Sequence, residues 1–168
     1  MQDALENNPT VSRRELERLH EACFAWALLL TDHDRSAAED VLQQAYLLVV
    51  SGRARFRERS SLKTWLFGVL RNVARRAHRR RRLYRMLALR LDTAEEPEEP
   101  GEPADPRLQS ALAELPPRQR ELLGLVFYAD LSIEQAAAVL GISIGSARTH
   151  YHRAKQNLRR RLEVDDDR

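Results

Sequence analysis

The chain has 168 residues, of which 43% are hydrophobic and 32% charged, and its formal net charge at pH 7 is +3. This length allows one ordinary domain or two small ones. A single cysteine excludes an intramolecular disulfide and is typical of a reducing compartment. Residues 1–10 are polar, and the longest apolar runs are far too short to span a bilayer. We therefore expect a soluble intracellular protein with neither a signal peptide nor a membrane-inserted segment.

The N-terminal half shows the three- and four-residue spacing of apolar side chains that is typical of helices. A first helix is indicated by Leu16, Leu19, Cys23, Trp26 and Leu30. Ser36 and Glu39 have the spacing of a capping box, which predicts the start of a second helix, and Gly52 predicts its end. Ser60 or Ser61 is expected to cap a third helix. The apolar stripe of this third helix is the most regular in the chain: Leu62, Trp65, Leu66, Val69, Leu70, Val73 and Ala77.

The third helix becomes strongly basic towards its far end, because the stretch from Arg71 to Arg90 contains many arginines and no acidic residue. A run of like charges is usually a solvated face, and it also gives non-specific affinity for nucleic acid. Just upstream, Phe56 and Lys63 lie among arginines and hydroxyl side chains, a mixture that suits unstacked bases and single-stranded backbone. Since Trp65 shares the apolar stripe, we predict that it packs in the core rather than serving as a stacking platform.

The composition reverses at residue 92. Residues 92–105 contain acidic side chains and prolines but neither Lys nor Arg. Such a segment cannot bury enough apolar area to offset a backbone entropy of roughly 1–2 kcal/mol per ordered residue. We therefore predict an extended, mobile linker between two small helical modules, residues 12–91 and 106–163. The predicted fold class is all-α.

The second module has the spacing of a helix-turn-helix. Ser132 and Gln135 form a second capping box, and Gly141 ends the helix that follows, with the small Ala137 placed for a close helix crossing. Another helix is expected to begin near residues 143–145. Its inner face consists of Ala147, Tyr151, Ala154, Leu158 and Leu162, and its outer face of Ser146, Arg148, Thr149, His152, Arg153 and Gln156.

This outer face predicts a reader of duplex DNA, because an α-helix fits the major groove and presents its N-terminal side chains to base edges. Arginine bonds guanine through two hydrogen bonds, while hydroxyl groups and the helix N-terminus suit phosphates. The alternative is an ordinary helical hairpin with a solvated basic face. We favour DNA binding over that alternative.

Several motifs occur in a fixed order along the two modules. The first module contains AEDVLQQAY (residues 38–46), FRERSSLKTWL (56–66) and RNVA (71–74). The second contains LPPRQRE (115–121) and LSIEQAAAVLGIS (131–143), continued by IGSARTHYHRAK (144–155). In this order the motifs resemble the extracytoplasmic-function (ECF) branch of the bacterial RNA polymerase sigma family.

The resemblance implies roles for individual residues in three groups. Contact with the polymerase clamp helices is expected from Glu39, Asp40, Gln43 and Gln44. Contact with the melted downstream promoter element is expected from Ser60, Ser61, Lys63, Thr64, Asn72, Arg75 and Arg76. Reading of the duplex upstream element is expected from Ser146, Arg148, Thr149, His152 and Arg153.

A protein of this family is expected to direct core polymerase to specific promoters without catalytic residues, a metal or a cofactor of its own. The implied partners are core RNA polymerase, through its clamp helices and flap, promoter DNA in double-stranded and melted form, and an anti-sigma factor. The implied location is the bacterial cytoplasm, on the nucleoid when the factor is bound to polymerase. The acidic linker suits a basic channel of the polymerase.

Two other classes of function remain alternatives. One is a helix-turn-helix DNA-binding regulator that does not bind core polymerase. The other is an enzyme, since His20 and Cys23 have helical i, i+3 spacing and a Cys–His pair serves as a nucleophile or a metal site. Cys23 lies on the apolar stripe without a further ligand cluster, so we predict a buried structural thiol and no enzyme.

Overall fold

The computed structural model describes residues 4–88 and 106–166, which fall into two compact units, Met1–Pro100 and Gly101–Arg168. In the first unit, strands β1 (Ala4–Leu5) and β2 (Asn8–Ser12) form an antiparallel hairpin, followed by helices α1 (Arg13–Leu30), α2 (Arg35–Val50) and α3 (Leu62–Ala88). The second unit contains α4 (Pro106–Ala113), α5 (Pro117–Phe127), α6 (Ile133–Leu140) and α7 (Ile144–Asp166). The predicted all-α class is confirmed, with the small hairpin as an addition. The predicted linker, residues 92–105, lies outside the described residues.

The core of the first unit lies where α1, α2 and α3 meet. Leu66, Phe67 and Leu70 of α3 are fully buried. Trp26 of α1 stacks on Phe67 with ring centroids 5.9 Å apart, and its indole N–H donates a hydrogen bond to the Phe67 carbonyl at 3.2 Å. Phe67 was not on the predicted stripe. It is buried because α3 packs against both α1 and α2, so the buried face of α3 is wider than a single stripe.

The helix starts follow from local capping. The Ser61 hydroxyl accepts a hydrogen bond from the Thr64 amide at 3.2 Å, which confirms the predicted cap of α3. The predicted Ser36–Glu39 capping box is wrong. Helix α2 begins at Arg35, and the Asp34 carboxylate caps it by accepting the Ala37 amide at 2.8 Å. Asp is as good an N-cap as Ser, and it comes first along the chain, which leaves Ser36 inside the helix.

The second unit has the predicted helix-turn-helix, formed by α6 and α7. Ser132 and Gln135 make both hydrogen bonds of the capping box, and Gly141 ends α6 in the left-handed conformation with φ +63°. Arg118 of α5 donates a hydrogen bond to the Leu140 carbonyl at 3.1 Å and so satisfies the end of α6. An apolar cluster joins α4, α5 and α7: Leu112, Leu115, Leu123, Tyr151, Ala154 and Leu158.

Candidate nucleic-acid and partner interfaces

Helix α2 exposes one polar face that becomes apolar towards its C-terminus. The predicted polymerase contacts all lie on it and are exposed: Glu39, Asp40, Gln43 and Gln44. Glu39 pairs with Arg35 at 3.2 Å in an exposed i, i+4 ion pair. One and two turns beyond Gln43, Leu47 is 68% exposed and Val50 is 47% exposed. Neither Leu47 nor Val50 was among the predicted polymerase contacts, although Leu47 falls off the buried stripe of α2.

The loop between α2 and α3 leads into a tightly bonded first helical turn. Ser60 and Ser61 are exposed and Lys63 is half-buried. Thr64 is only 3% exposed, and its hydroxyl shares a 2.8 Å hydrogen bond with the Ser61 hydroxyl. The structure therefore brings the four predicted residues together, with Thr64 buried and its hydroxyl bonded to that of Ser61.

Two aromatic rings connect this loop to α3. Phe56 and Trp65 are both half-buried, with ring centroids 5.2 Å apart at an interplanar angle of 44°. The Lys63 ammonium lies 5.9 Å from the centre of the Phe67 ring. The prediction that Trp65 packs in the core is correct only in part, because this side chain is half-buried and packs against Phe56.

The rest of α3 presents a basic face. Asn72, Arg75 and Arg76 are exposed and occupy one side of the helix at three- and four-residue spacing. The preceding Arg71 differs from them because it is only 3% exposed. Further along, Arg81 forms an ion pair with Asp34 at 3.3 Å, which ties the basic stretch to the start of α2.

Helix α7 exposes all the residues that the sequence placed on its outer face: Ser146, Arg148, Thr149, His152, Arg153 and Gln156. Ala147 and Ala154 are fully buried beneath this face, as predicted. The Ser143 hydroxyl accepts the Ser146 amide at 3.1 Å and so caps the helix. The polar N-terminal half of α7 therefore lies in solvent.

One ion pair links the two helices of the helix-turn-helix. The Arg148 guanidinium lies 3.2 Å from the Glu134 carboxylate, and both side chains are largely exposed. A hydrogen bond from its own backbone amide, followed by the bond from Arg148, holds the pKa of Glu134 below its usual value. Arg148, which is predicted to contact a base, is therefore bonded to the first turn of α6 through Glu134.

The single cysteine is a buried thiol, as predicted. Burial raises the pKa of the Cys23 thiol to about 12, against a smaller opposite effect of a hydrogen bond with Tyr46. The Tyr46 hydroxyl is also 3.2 Å from Nδ1 of His20. At neutral pH Cys23 is therefore a protonated packing residue and not a nucleophile. Residues 4–88 and 106–166 contain no group of three or more His, Cys, Asp or Glu side chains arranged to hold a metal ion.

None of the helices within residues 4–88 and 106–166 has the length and apolar character needed to cross a bilayer.

Both units match known families. Residues 16–84 match the model of Sigma-70 region 2, and residues 106–158 match that of Sigma-70, region 4. The chain is 34% identical over 137 residues to the ECF RNA polymerase sigma factor EcfG of Rhodopseudomonas palustris, an alignment covering 76% of this chain and 72% of that protein. It is 36% identical over 129 residues to the RNA polymerase sigma factor CarQ of Myxococcus xanthus, with 74% of each chain covered. The chain belongs to the ECF sigma factor family.

The fold of this sigma factor is likewise similar to a solved structure. The sigma factor RpoE of Bartonella quintana, determined in complex with the anti-sigma factor NepR, superposes with a TM-score of 0.74 at 29% identity, covering 91% of this chain and 97% of that one. The protein is thus a transcription initiation factor that directs core RNA polymerase to promoter DNA, as the motifs predicted. None of these comparisons favours the alternative of a regulator that acts without polymerase.

Proposed function

We propose that this sigma factor divides its work among three exposed surfaces. The α2 face binds the polymerase clamp helices, the α2–α3 loop and α3 bind the melted downstream element, and α7 reads the upstream element. The observation that carries this proposal is exposure: of the residues assigned to these tasks, all are exposed except Lys63, which is half-buried, and Thr64, which is buried. The assignment corresponds to modules at residues 12–91 and 106–163, and the flap is the proposed polymerase contact of the second module.

The α2 face is suited to a protein partner because it combines charge with apolar area. Asp40, Gln43 and Gln44 supply polar contacts, and the exposed Leu47 and Val50 add apolar surface that a partner would remove from water. Burying exposed apolar surface contributes about 25 cal/mol per Å². A stripe of this composition is typical of an interface, in which a few apolar anchors are surrounded by polar groups.

The loop before α3 is suited to a displaced DNA strand. Ser60 and Ser61 offer hydroxyl groups, Lys63 offers a cation, and Asn72, Arg75 and Arg76 continue the polar and basic surface along α3. Capturing one unstacked base offsets an unpairing cost of a few kcal/mol, which is the main obstacle to strand opening. Thr64 contributes by holding the Ser61 hydroxyl, since its own oxygen is buried.

Helix α7 is suited to the major groove. Because both side chains of the Arg148–Glu134 ion pair are exposed to water, the guanidinium exchanges its carboxylate partner for a guanine edge at little cost. A two-pronged arginine–guanine contact contributes about 1–3 kcal/mol of discrimination. Thr149, His152 and Arg153 extend the same exposed face.

We further propose that an anti-sigma factor holds this protein inactive, because the similar Bartonella structure is a complex with one. The protein acts in the cytoplasm, on the nucleoid when bound to polymerase, and it contributes binding rather than catalysis. The proposed role of the acidic segment, residues 92–105, in a basic polymerase channel rests on its charge alone.

Titration with core polymerase tests the α2 assignment. Asp40→Arg should weaken core binding by about tenfold or more, because one desolvated contact of about 1.4 kcal/mol corresponds to a factor of ten. Glu17→Arg, which reverses an exposed acid on α1, is the matched control and should change binding by less than about twofold. Equal losses in both variants would show that net charge, and not the α2 face, governs binding.

Promoter binding by the assembled holoenzyme tests the α7 assignment. Arg148→Ala should leave core binding unchanged and weaken the binding of holoenzyme to a promoter-bearing duplex by about tenfold to a hundredfold. This range follows from the loss of a two-pronged base contact. Arg159→Ala, an exposed arginine farther along α7, is the control for general loss of positive charge. If the two variants behave alike, Arg148 contacts phosphate and does not read sequence.

A further inference from the structure

The N-terminal hairpin is bonded to the loop between α2 and α3 through one buried side chain. Asn8 is 2% exposed, and both protons of its side-chain amide are used: Nδ2 donates to the Val49 carbonyl at 3.1 Å and to the Ala54 carbonyl at 2.7 Å. Its Oδ1 accepts the Phe56 amide at 3.2 Å. A single asparagine therefore fixes the backbone at the end of α2 and at two points of the loop.

Neighbouring residues of the hairpin add to this attachment. Asn7 donates from its side chain to the Val50 carbonyl at 3.2 Å, and the Thr10 hydroxyl donates to the Phe56 carbonyl at 3.3 Å. Val11, on the same strand, is fully buried in the first unit and anchors the hairpin. Because Thr10 and Asn8 bond the carbonyl and the amide of Phe56, the hairpin holds both polar groups of that residue.

The loop adopts a conformation that needs such support. Glu58 has φ +55°, a left-handed conformation that is strained for a non-glycine residue and persists only where the surroundings impose it. The same loop carries the exposed Arg53, Arg55, Arg57 and Arg59 and ends at Ser60 and Ser61. A strained loop that bears exposed cations is the part of the first unit whose geometry matters most for a flexible DNA strand.

We propose that Asn8 is a positioning residue for promoter opening, and that the hairpin preorganises the loop that receives the displaced strand. This inference rests on the proposed function of the loop. A loop that is already fixed pays no ordering entropy when it binds, so a free loop would lower the stability of the open complex and the rate of reaching it. Asn8 itself touches no DNA in this account.

Asn8→Asp tests the inference with almost no change in size. The variant keeps the oxygen that accepts the Phe56 amide, but it places a second oxygen against the Val49 and Ala54 carbonyls, where two donors stood. Ser12→Ala is the matched control, since Ser12 lies at the end of the same strand and caps α1 through the Glu15 amide rather than bonding the loop. Both variants weaken the hairpin region, and only one of them releases the loop.

The readout is the rate at which holoenzyme opens a promoter, followed by permanganate reactivity of unpaired thymines, beside core affinity for each variant. We expect Asn8→Asp to slow promoter opening by about tenfold, which corresponds to a barrier higher by about 1.4 kcal/mol, and to leave the affinity for core polymerase unchanged. Ser12→Ala should slow opening by less than about twofold. In the free protein, amide exchange across residues 53–61 should accelerate in Asn8→Asp and not in Ser12→Ala.

Thr10→Val and Lys63→Ala separate the role of the hairpin from that of the loop. Thr10→Val removes an exposed hydroxyl and one hydrogen bond to the loop, and it should change exchange and opening in the same direction as Asn8→Asp without threatening the fold. Opening at the wild-type rate in both hairpin variants would overturn the inference, whatever Lys63→Ala does. Slow opening in the hairpin variants with normal opening in Lys63→Ala would keep the positioning role and instead remove Lys63 from the proposed contact site.

Discussion

The turn at the end of α2 offers the sharpest test of how the hairpin is packed. Gly52 has φ +71°, and a Cβ placed there would lie 2.8 Å from the Asn7 Cβ and 2.9 Å from the Asn7 carbonyl oxygen. Gly141, at the end of α6, has nearly the same conformation, with φ +63°, but a Cβ there would meet nothing within 4 Å. Gly52→Ala and Gly141→Ala therefore share a backbone cost and differ only in the collision.

The magnitudes follow from these two contributions. An alanine in the left-handed region costs about 1 kcal/mol in both variants. In Gly52→Ala the hairpin must also move away, and the hydrogen bonds of Asn7 and Asn8 contribute roughly 1 kcal/mol each. Losing two or three of them brings the expected destabilisation to about 3–4 kcal/mol, against about 1 kcal/mol for Gly141→Ala.

Denaturant unfolding measures the two effects separately. Both tryptophans, Trp26 and Trp65, belong to the first unit, so tryptophan fluorescence follows that unit alone, while far-ultraviolet circular dichroism follows both. Gly52→Ala should shift the fluorescence transition strongly. Gly141→Ala should leave the fluorescence transition in place and shift only the part of the dichroism transition that comes from the second unit. A loss of only about 1 kcal/mol in Gly52→Ala would mean that the hairpin does not pack against this turn.

Three further outcomes are expected. Because burial raises the pKa of Cys23 to about 12, a disulfide reagent at mildly alkaline pH should label the thiol only as fast as the protein unfolds, and rapid native labelling would contradict the buried site. The backbone and hydroxyl hydrogen bonds of Ser12 lower the pKa of Glu15, so the stabilisation by its carboxylate is present above the unfolded pKa and is lost as the pH falls through the folded pKa. In urea unfolding, Glu15→Gln should therefore lose less stability on acidification than wild type does. An unchanged dependence of stability on pH would contradict this. Gly68→Ala, inside α3 with open space around the added methyl, should raise stability of the first unit by about 0.5–1 kcal/mol by fluorescence-monitored unfolding, whereas a loss would reveal a contact at that position.

The sequence predicted features that are encoded locally. The capping box of Ser132 and Gln135 and the left-handed Gly141 depend on side-chain type and short spacing, and both are present as predicted. The predicted cap of α2 was wrong: Ser36 and Glu39 have the spacing of a capping box, but Asp34, two residues earlier, is the N-cap. Local signals thus identify a helix start more reliably than its exact residue.

Features that depend on the packing of several elements were not predictable from the spacing. Phe67 is buried because α3 contacts two helices, which no single apolar stripe indicates. The hairpin consists largely of polar residues without strand-like alternation, and its stability comes from hydrogen bonds to residues more than forty positions away, such as those of Asn8. Within the candidate site, the same reason applies to Thr64, whose burial against Ser61 no motif could show.

Run-off transcription tests the central claim most directly. Purified bacterial core polymerase is supplied with genomic fragments, with and without this protein, and the start sites are mapped. We expect initiation at a few discrete positions only when the protein is present, and loss of those starts in Arg148→Ala and after deletion of residues 39–46. A protein that binds duplex DNA but neither joins core polymerase nor produces new start sites would contradict the account and restore the alternative of a helix-turn-helix regulator.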